Sequence, residues 1–127
     1  MNTKYLMIAS SIFMGLLGIC ATFLPNEILN YMGINLTILP TLLIQIIGAL
    51  YLGFALMNWM AKTVLIGGIY SKPLCMGNFL HFTAAGLALI KGAFHNPGLN
   101  FIIIAAIAYS IFAILFGVIL FTSPVKK

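Results

Sequence analysis

Charge is what this sequence has least of. Its 127 residues include no Arg and no Asp, a single Glu and six Lys, so 6% are charged, against about 25% in an ordinary soluble domain. Seven charges cannot solvate the surface of a chain that is 63% hydrophobic, and a soluble globular fold is excluded on that ground. A disordered polar tail or linker is missing as well. Cys is also scarce. Cys20 and Cys75 are too few for a disulfide scaffold, and together with His81, His95 and Glu27 they lack the pair spacing that zinc or iron–sulfur sites require. No metal and no cofactor are therefore expected. With no Asp, Glu or Arg inside a hydrophobic run, the usual proton-carrying group of an antiporter is missing. Gly67-Gly68 is not followed by the Lys-Ser/Thr that makes a phosphate loop useful. Catalytic residues are therefore assigned to none, and an enzyme is the least favoured class.

What is present is hydrophobic length. Four runs, 5–24, 38–61, 74–90 and 99–122, are each 17–24 residues long. That matches the roughly 17–25 residues that cross a hydrocarbon core of about 30 Å at ~1.5 Å per residue. The runs are continuous blocks such as residues 101–108 rather than alternating segments, which rules out a β-barrel. The first run is longer than a signal-peptide core of about 7–15 residues, and Ile19 before Cys20 is wrong for cleavage, so it reads as a retained helix. The connections are too short to hold a domain. The expected fold is an all-α polytopic membrane protein, an antiparallel four-transmembrane-helix bundle in one domain, 1–127.

Lys placement sets the expected orientation. With four spans, the N-terminus, the second connection and the C-terminus share a side and carry Lys4, Lys62, Lys72, Lys126 and Lys127; the other side has Lys91, Glu27 and His95. The bias of basic residues toward cytoplasmic segments then puts both termini in the cytoplasm of a bacterial inner membrane. Membrane lipids are the expected partners, through anionic headgroups. Nucleic acid is not expected, since no basic cluster exceeds two residues. Cys20 and Cys75 fall toward opposite ends of their spans and are expected to be free thiols.

The connections carry local signals. Residues 25–33 place Ile28, Leu29 and Met32 on one helical face and end at a Gly suited to a C-cap, predicting a short interfacial helix. His95-Asn-Pro-Gly98 predicts a turn. The apolar connection 63–70 is compatible with a helix extension, an interfacial dip or a partner contact.

Facing is read from spacing. Ser11, Gly15, Gly18 and Thr22 recur at i, i+4, i+7 and i+11 on the first span, and Ala106, Ser110, Ala113 and Gly117 repeat that pattern on the last. Lipid gives helices no hydrophobic reason to associate, so small stripes mark close packing, and these two predict that the first and last spans pair. The third span has Gly77, His81, Ala84, Ala85 and Ala88. The second has Gly48, Tyr51, Ala55, Asn58 and Trp59, with Gln45 beside them. Counted from the Lys62 and Lys72 boundary, Asn58 lies ~6 Å deep, Asn78 ~9 Å, His81 ~14 Å and Tyr51 ~16 Å. These four form the candidate polar cluster. Gln45 and Tyr109 fall at comparable depths and form a second candidate contact. The structural alternative is that a neutral His81 only hydrogen-bonds within the bundle, worth roughly 0.6 kcal/mol of helix adhesion. Tyr51 and Trp59 read first as packing or interface anchors, and Lys91 as a snorkelling anchor.

The pattern Gln45-x-x-Gly48-Ala49-x-x-x-Gly53-Phe-x-x-x-Asn58-Trp59-x-Ala61-Lys62, followed by Gly77-Asn78-x-x-His81, resembles one found in small bacterial four-helix membrane proteins of unknown function that are DoxX-like in size. The resemblance covers residues 45–81. It implies a four-helix membrane protein in which Asn58, Asn78 and His81 belong to one site, and it brings no substrate; the charged residues of better-defined DoxX proteins are absent here.

Three function classes remain. The leading one is a small accessory or structural subunit of a membrane complex, with a larger membrane-protein partner or a homo-oligomer. The second is a binder of a lipid, quinone or other apolar molecule, using Tyr51, Asn58, Asn78 and His81 as its polar contacts. The third is a small oligomeric transporter or channel. The orientation is tested with a Cys at Asn96 in a Cys20→Ser/Cys75→Ser background: an impermeant thiol reagent should label it in intact cells, and absence of labelling would reverse the assignment.

Overall fold

The computed structural model describes residues 3–63 and 71–122, and these are almost wholly helical: α1 (Thr3–Phe23), α2 (Pro25–Met32), α3 (Ile38–Met60), α4 (Lys72–His95) and α5 (Asn100–Thr122). The class is all-α, and α1, α3, α4 and α5 are each long and apolar enough to cross a membrane. The connection 64–70 with Gly67, Gly68 and Tyr70, and Lys126 and Lys127, lie outside the described residues.

Helix ends follow local chemistry. α1 stops where Leu24 leaves helical geometry before Pro25, whose ring disfavours helix in the residue preceding it. Pro25 opens α2, where its missing N–H costs nothing, and Gly33 closes it at φ 74°. The Ile34 N–H donates to Leu29 O at 2.9 Å and the Gly33 N–H to Asn30 O at 3.1 Å, a Schellman closure that needs the left-handed conformation glycine supplies. The expected short helix is thus present, held by Leu29, which is 1% exposed. α4 runs beyond the expected 74–90 at both ends. Pro73 fits into its first turn, and it continues through Lys91 until Asn96, which precedes Pro97, caps it by donating Nδ2 to Gly92 O at 3.1 Å. A lysine at the membrane boundary does not end a helix, because its backbone N–H and C=O still pair within the segment.

The described residues form two compact units, one ending at Thr63 and the other beginning at Ser71. In the first, α1 and α3 pair antiparallel, with α2 against both. The seam is a backbone contact made from both sides. A Cβ on Gly18 would lie 2.9 Å from Leu52 N, and one on Gly48 would lie 2.8 Å from Thr22 N; Gly15 faces Ala55 Cβ at 3.6 Å. The stripe Ser11, Gly15, Gly18, Thr22 is therefore filled by α3, where its spacing suggested the last span. A face of small residues accepts any helix that can approach closely, and the short connection 33–37 brings α3 back along α1 in antiparallel register.

In the second unit, α4 and α5 pair antiparallel. Here the interior is aromatic. Phe82 and Phe116 are fully buried, and the Phe82 ring lies 4.9 Å from Phe112 and 5.8 Å from Phe116, stacked on both, and edge-on to Tyr109 at 5.3 Å. Gly117, from the second small stripe, receives the Phe79 ring, whose Cε1 stands 3.0 Å from the position of an added Cβ. The packed face of α4 is Cys75, Asn78, Phe82 and Gly86, while Ala84 and Ala88 of the expected stripe are exposed.

Gly18→Ala and Gly48→Ala each force a methyl into a neighbouring backbone and should lower stability by about 1–3 kcal/mol. Gly53→Ala, on the same α3 but exposed with open space around it, should be neutral or gain about 0.5–1 kcal/mol from helix propensity. Thermal unfolding in detergent checks this; equal effects at Gly18 and Gly53 would refute the seam.

Candidate functional site

The polar side chains inside the helices are placed by the same seams. At the end of the α1–α3 contact nearest Lys62, Asn58 is fully buried and donates its Nδ2 to Ser10 Oγ at 3.1 Å, and Ser10 in turn donates to Met7 O at 3.0 Å. One step along, Ser11 Oγ donates to Ala55 O at 2.7 Å, a side chain of one helix bonding the backbone of the other. Both bonds require the close approach that Gly15 and Gly18 permit. Thr22 Oγ1, at the opposite end of the stripe, is buried against Gly48 and makes no hydrogen bond.

Tyr51 is half-buried on α3 in the same unit. Trp59 is 43% exposed, and Lys62 places its ammonium 4.1 Å from the centre of that ring while donating to Trp59 O at 3.4 Å. That is an aromatic–cation pair of the kind that anchors a helix end at the headgroup level.

The other candidate residues stand on α4 in the second unit. Asn78 is fully buried and donates Nδ2 to Leu74 O, one turn back, at 3.0 Å. His81 is half-buried, with its ring 5.0 Å from Phe82 and 5.6 Å from Tyr109. Tyr109 is 3% exposed and closes this aromatic group from α5; Gln45, proposed as its partner, is half-buried on α3. The four candidate residues thus divide two and two between the units. Within each unit the structure brings Asn58 to Ser10, and His81 to Phe82 and Tyr109.

Of the second stripe, Gly117 packs under Phe79, and Ala106, Ser110 and Ala113 line an apolar groove shared with α4. Cys75 is buried and offers its Sγ to Phe116 O at 3.6 Å; Cys20 is exposed; both are free thiols. Among the described residues, no three His, Cys, Asp or Glu side chains gather where a metal ion could be held.

Two packed residues, Ser10 and Phe82, carry little signal in the sequence. Ser10 sits beside Ser11 and off the spaced stripe, and only a pair of adjacent serines at the Asn58 level hinted at it. Phe82 was hidden because a phenylalanine in an apolar run carries no periodic signal against its neighbours.

The fold defines the class: a multi-pass membrane protein, with four helices among the described residues long and apolar enough to span. Comparison with protein-family models, curated proteins and solved structures finds no match.

The Ser10–Asn58 bond should register as a coupling of about 0.6 kcal/mol, and no more than ~1.7, in a double-mutant cycle of Ser10→Ala and Asn58→Leu. Thermal or chemical unfolding of the four proteins in detergent measures it, and strict additivity would show that the two residues do not interact.

Proposed function

We propose that this chain is a small accessory or structural subunit of a bacterial inner-membrane complex, with both termini cytoplasmic, and that the DoxX-like resemblance belongs to its helical architecture rather than to an activity. The observation that supports this reading is where the polar groups go. Ser10, Ser11, Asn58 and Asn78 are all buried, and each makes a hydrogen bond inside its own hairpin. Ser10, Ser11 and Asn58 thereby tie α1 to α3, and Asn78 is satisfied within α4 by Leu74 O, whereas a site for a polar ligand keeps such groups aimed at a cavity.

The outward surface agrees with such a role. α3 buries only Gly48, Ala55 and Asn58, so its bulky residues, Leu50 and Leu56 among them at 62% and 60% exposed, are available to lipid or to another helix. In hydrocarbon a helix surface gains little by merely being apolar, so a partner is recruited by fit.

Affinity purification of the tagged chain from its native membrane in mild detergent tests the proposal. A larger membrane protein in stoichiometric amount is the expected result. Recovery of the chain alone, as monomer or homo-oligomer, would overturn it.

A further inference from the structure

The α4–α5 seam is closed over one half of its length and open over the other. Where Phe79 and Phe82 lie, aromatic rings fill the space between the helices. Toward the other end, two adjoining apolar cavities of about 330 and 300 Å³ run along the hairpin. Ile90 lines both, so the two lie end to end along the seam and together make a groove with Ile90 at the join. Its floor is small, Gly86 and Ala93 from α4 with Ala106 and Ala113 from α5, and its rim is large and open, with Leu87 63% and Ile114 65% exposed.

We propose that this groove binds one acyl chain of an anionic phospholipid. Length is the first reason. The α4 residues lining it run from Thr83 to Phe94, about 16 Å at ~1.5 Å per residue, which is half of a ~30 Å hydrocarbon core and so the depth of one leaflet. A lipid tail occupies one leaflet; a transmembrane helix of a second copy occupies both and needs a groove that continues across the midplane. Here the groove stops. Phe82 stacks on Phe112 and Phe116 at its inner end, and beyond it the Phe79 ring fills the space over Gly117.

Charge at the open end is the second reason. Lys91 follows Ile90 directly, is exposed, and is the one Lys between positions 72 and 126. Lys91 lines neither cavity but stands beside Ile90, which lines both, and an ammonium on a flexible stem reaches a phosphate at the headgroup level. A chain in the groove and a phosphate at Lys91 describe one molecule. The site is built by α4 and α5 alone and is independent of the accessory role proposed above.

The test is native mass spectrometry of the full chain released from nanodiscs of equal phosphatidylglycerol and phosphatidylcholine. Wild type should retain one phosphatidylglycerol per chain. Ala113→Leu, which fills the groove, should lower that retention at least tenfold with an unchanged thermal midpoint, while Ala88→Leu, exposed and outside the groove, should retain it. Lys91→Gln should keep a lipid and lose the preference for phosphatidylglycerol. If Ala113→Leu does not fold, Ala93→Leu fills the adjoining cavity and reads the same effect. Equal retention in wild type and the filled variants overturns the proposal, and an undiminished preference in Lys91→Gln overturns the headgroup assignment. Disulfide-linked dimers of Ser110→Cys in a Cys20→Ser/Cys75→Ser background, abolished by Ala113→Leu, would show that a second copy occupies the groove and would likewise overturn it.

Discussion

Two helices in hydrocarbon have no water to expel between them, so they stay together only as far as their surfaces fit. In the first hairpin that fit comes down to the absence of two side chains. Gly18 lies on the backbone of Leu52 and Gly48 on the backbone of Thr22, each helix supplying the missing Cβ that the other needs. The hydrogen bonds from Ser11 to Ala55 O and from Asn58 to Ser10 depend on that approach. A polar atom only two or three bonds from its Cα cannot bridge helices held apart by an added methyl. The interhelical polar contacts are therefore consequences of the glycine contacts, and without the glycines these donors would have only carbonyls of their own helix to turn to, as Ser10 and Asn78 already do.

The second hairpin solves the same problem with volume. Rings of Phe79, Phe82, Phe112 and Phe116 fill the interhelical space over one half of the seam. In the other half, small residues on both helices leave it open. One hairpin is thus sealed by backbone contact along its seam, whereas the other is sealed over half of it and carries a leaflet-deep groove over the rest. The asymmetry matters for function, because unfilled apolar space in a membrane protein is filled by whatever the bilayer supplies.

The placement of polar groups follows a similar economy. With seven formal charges in 127 residues, the chain keeps its ammonium groups for the span ends, as with Lys62 over Trp59, and uses neutral Asn and Ser inside. Neutral amides and hydroxyls can be satisfied by one or two nearby acceptors. A buried charge would need a partner of opposite sign, and against six Lys the sequence has one Glu.

The spans, their all-α class and the short helix ending at Gly33 were legible in the sequence, because each rests on a local quantity: run length against membrane thickness, the 3.6-residue repeat, and the one residue that takes φ 74° without strain. The small residues of the α1 and α3 faces were legible too, since such residues at helical spacing mark close approach, whereas Trp59, read onto the same α3 face, is exposed. Their partner was not: the stripes on α1 and α5 follow the same spacing, and spacing says that a surface is smooth without saying which surface meets it. Tertiary structure alone decided that Gly18 rests on Leu52 and Gly117 under Phe79. It alone brought Ser10 to Asn58 across 48 positions of chain, turned Phe82 rather than the Ala84 and Ala88 stripe toward α5, and left the groove beside Ala113. These are properties of pairs of surfaces, and a repeat along one helix carries no information about the shape of another.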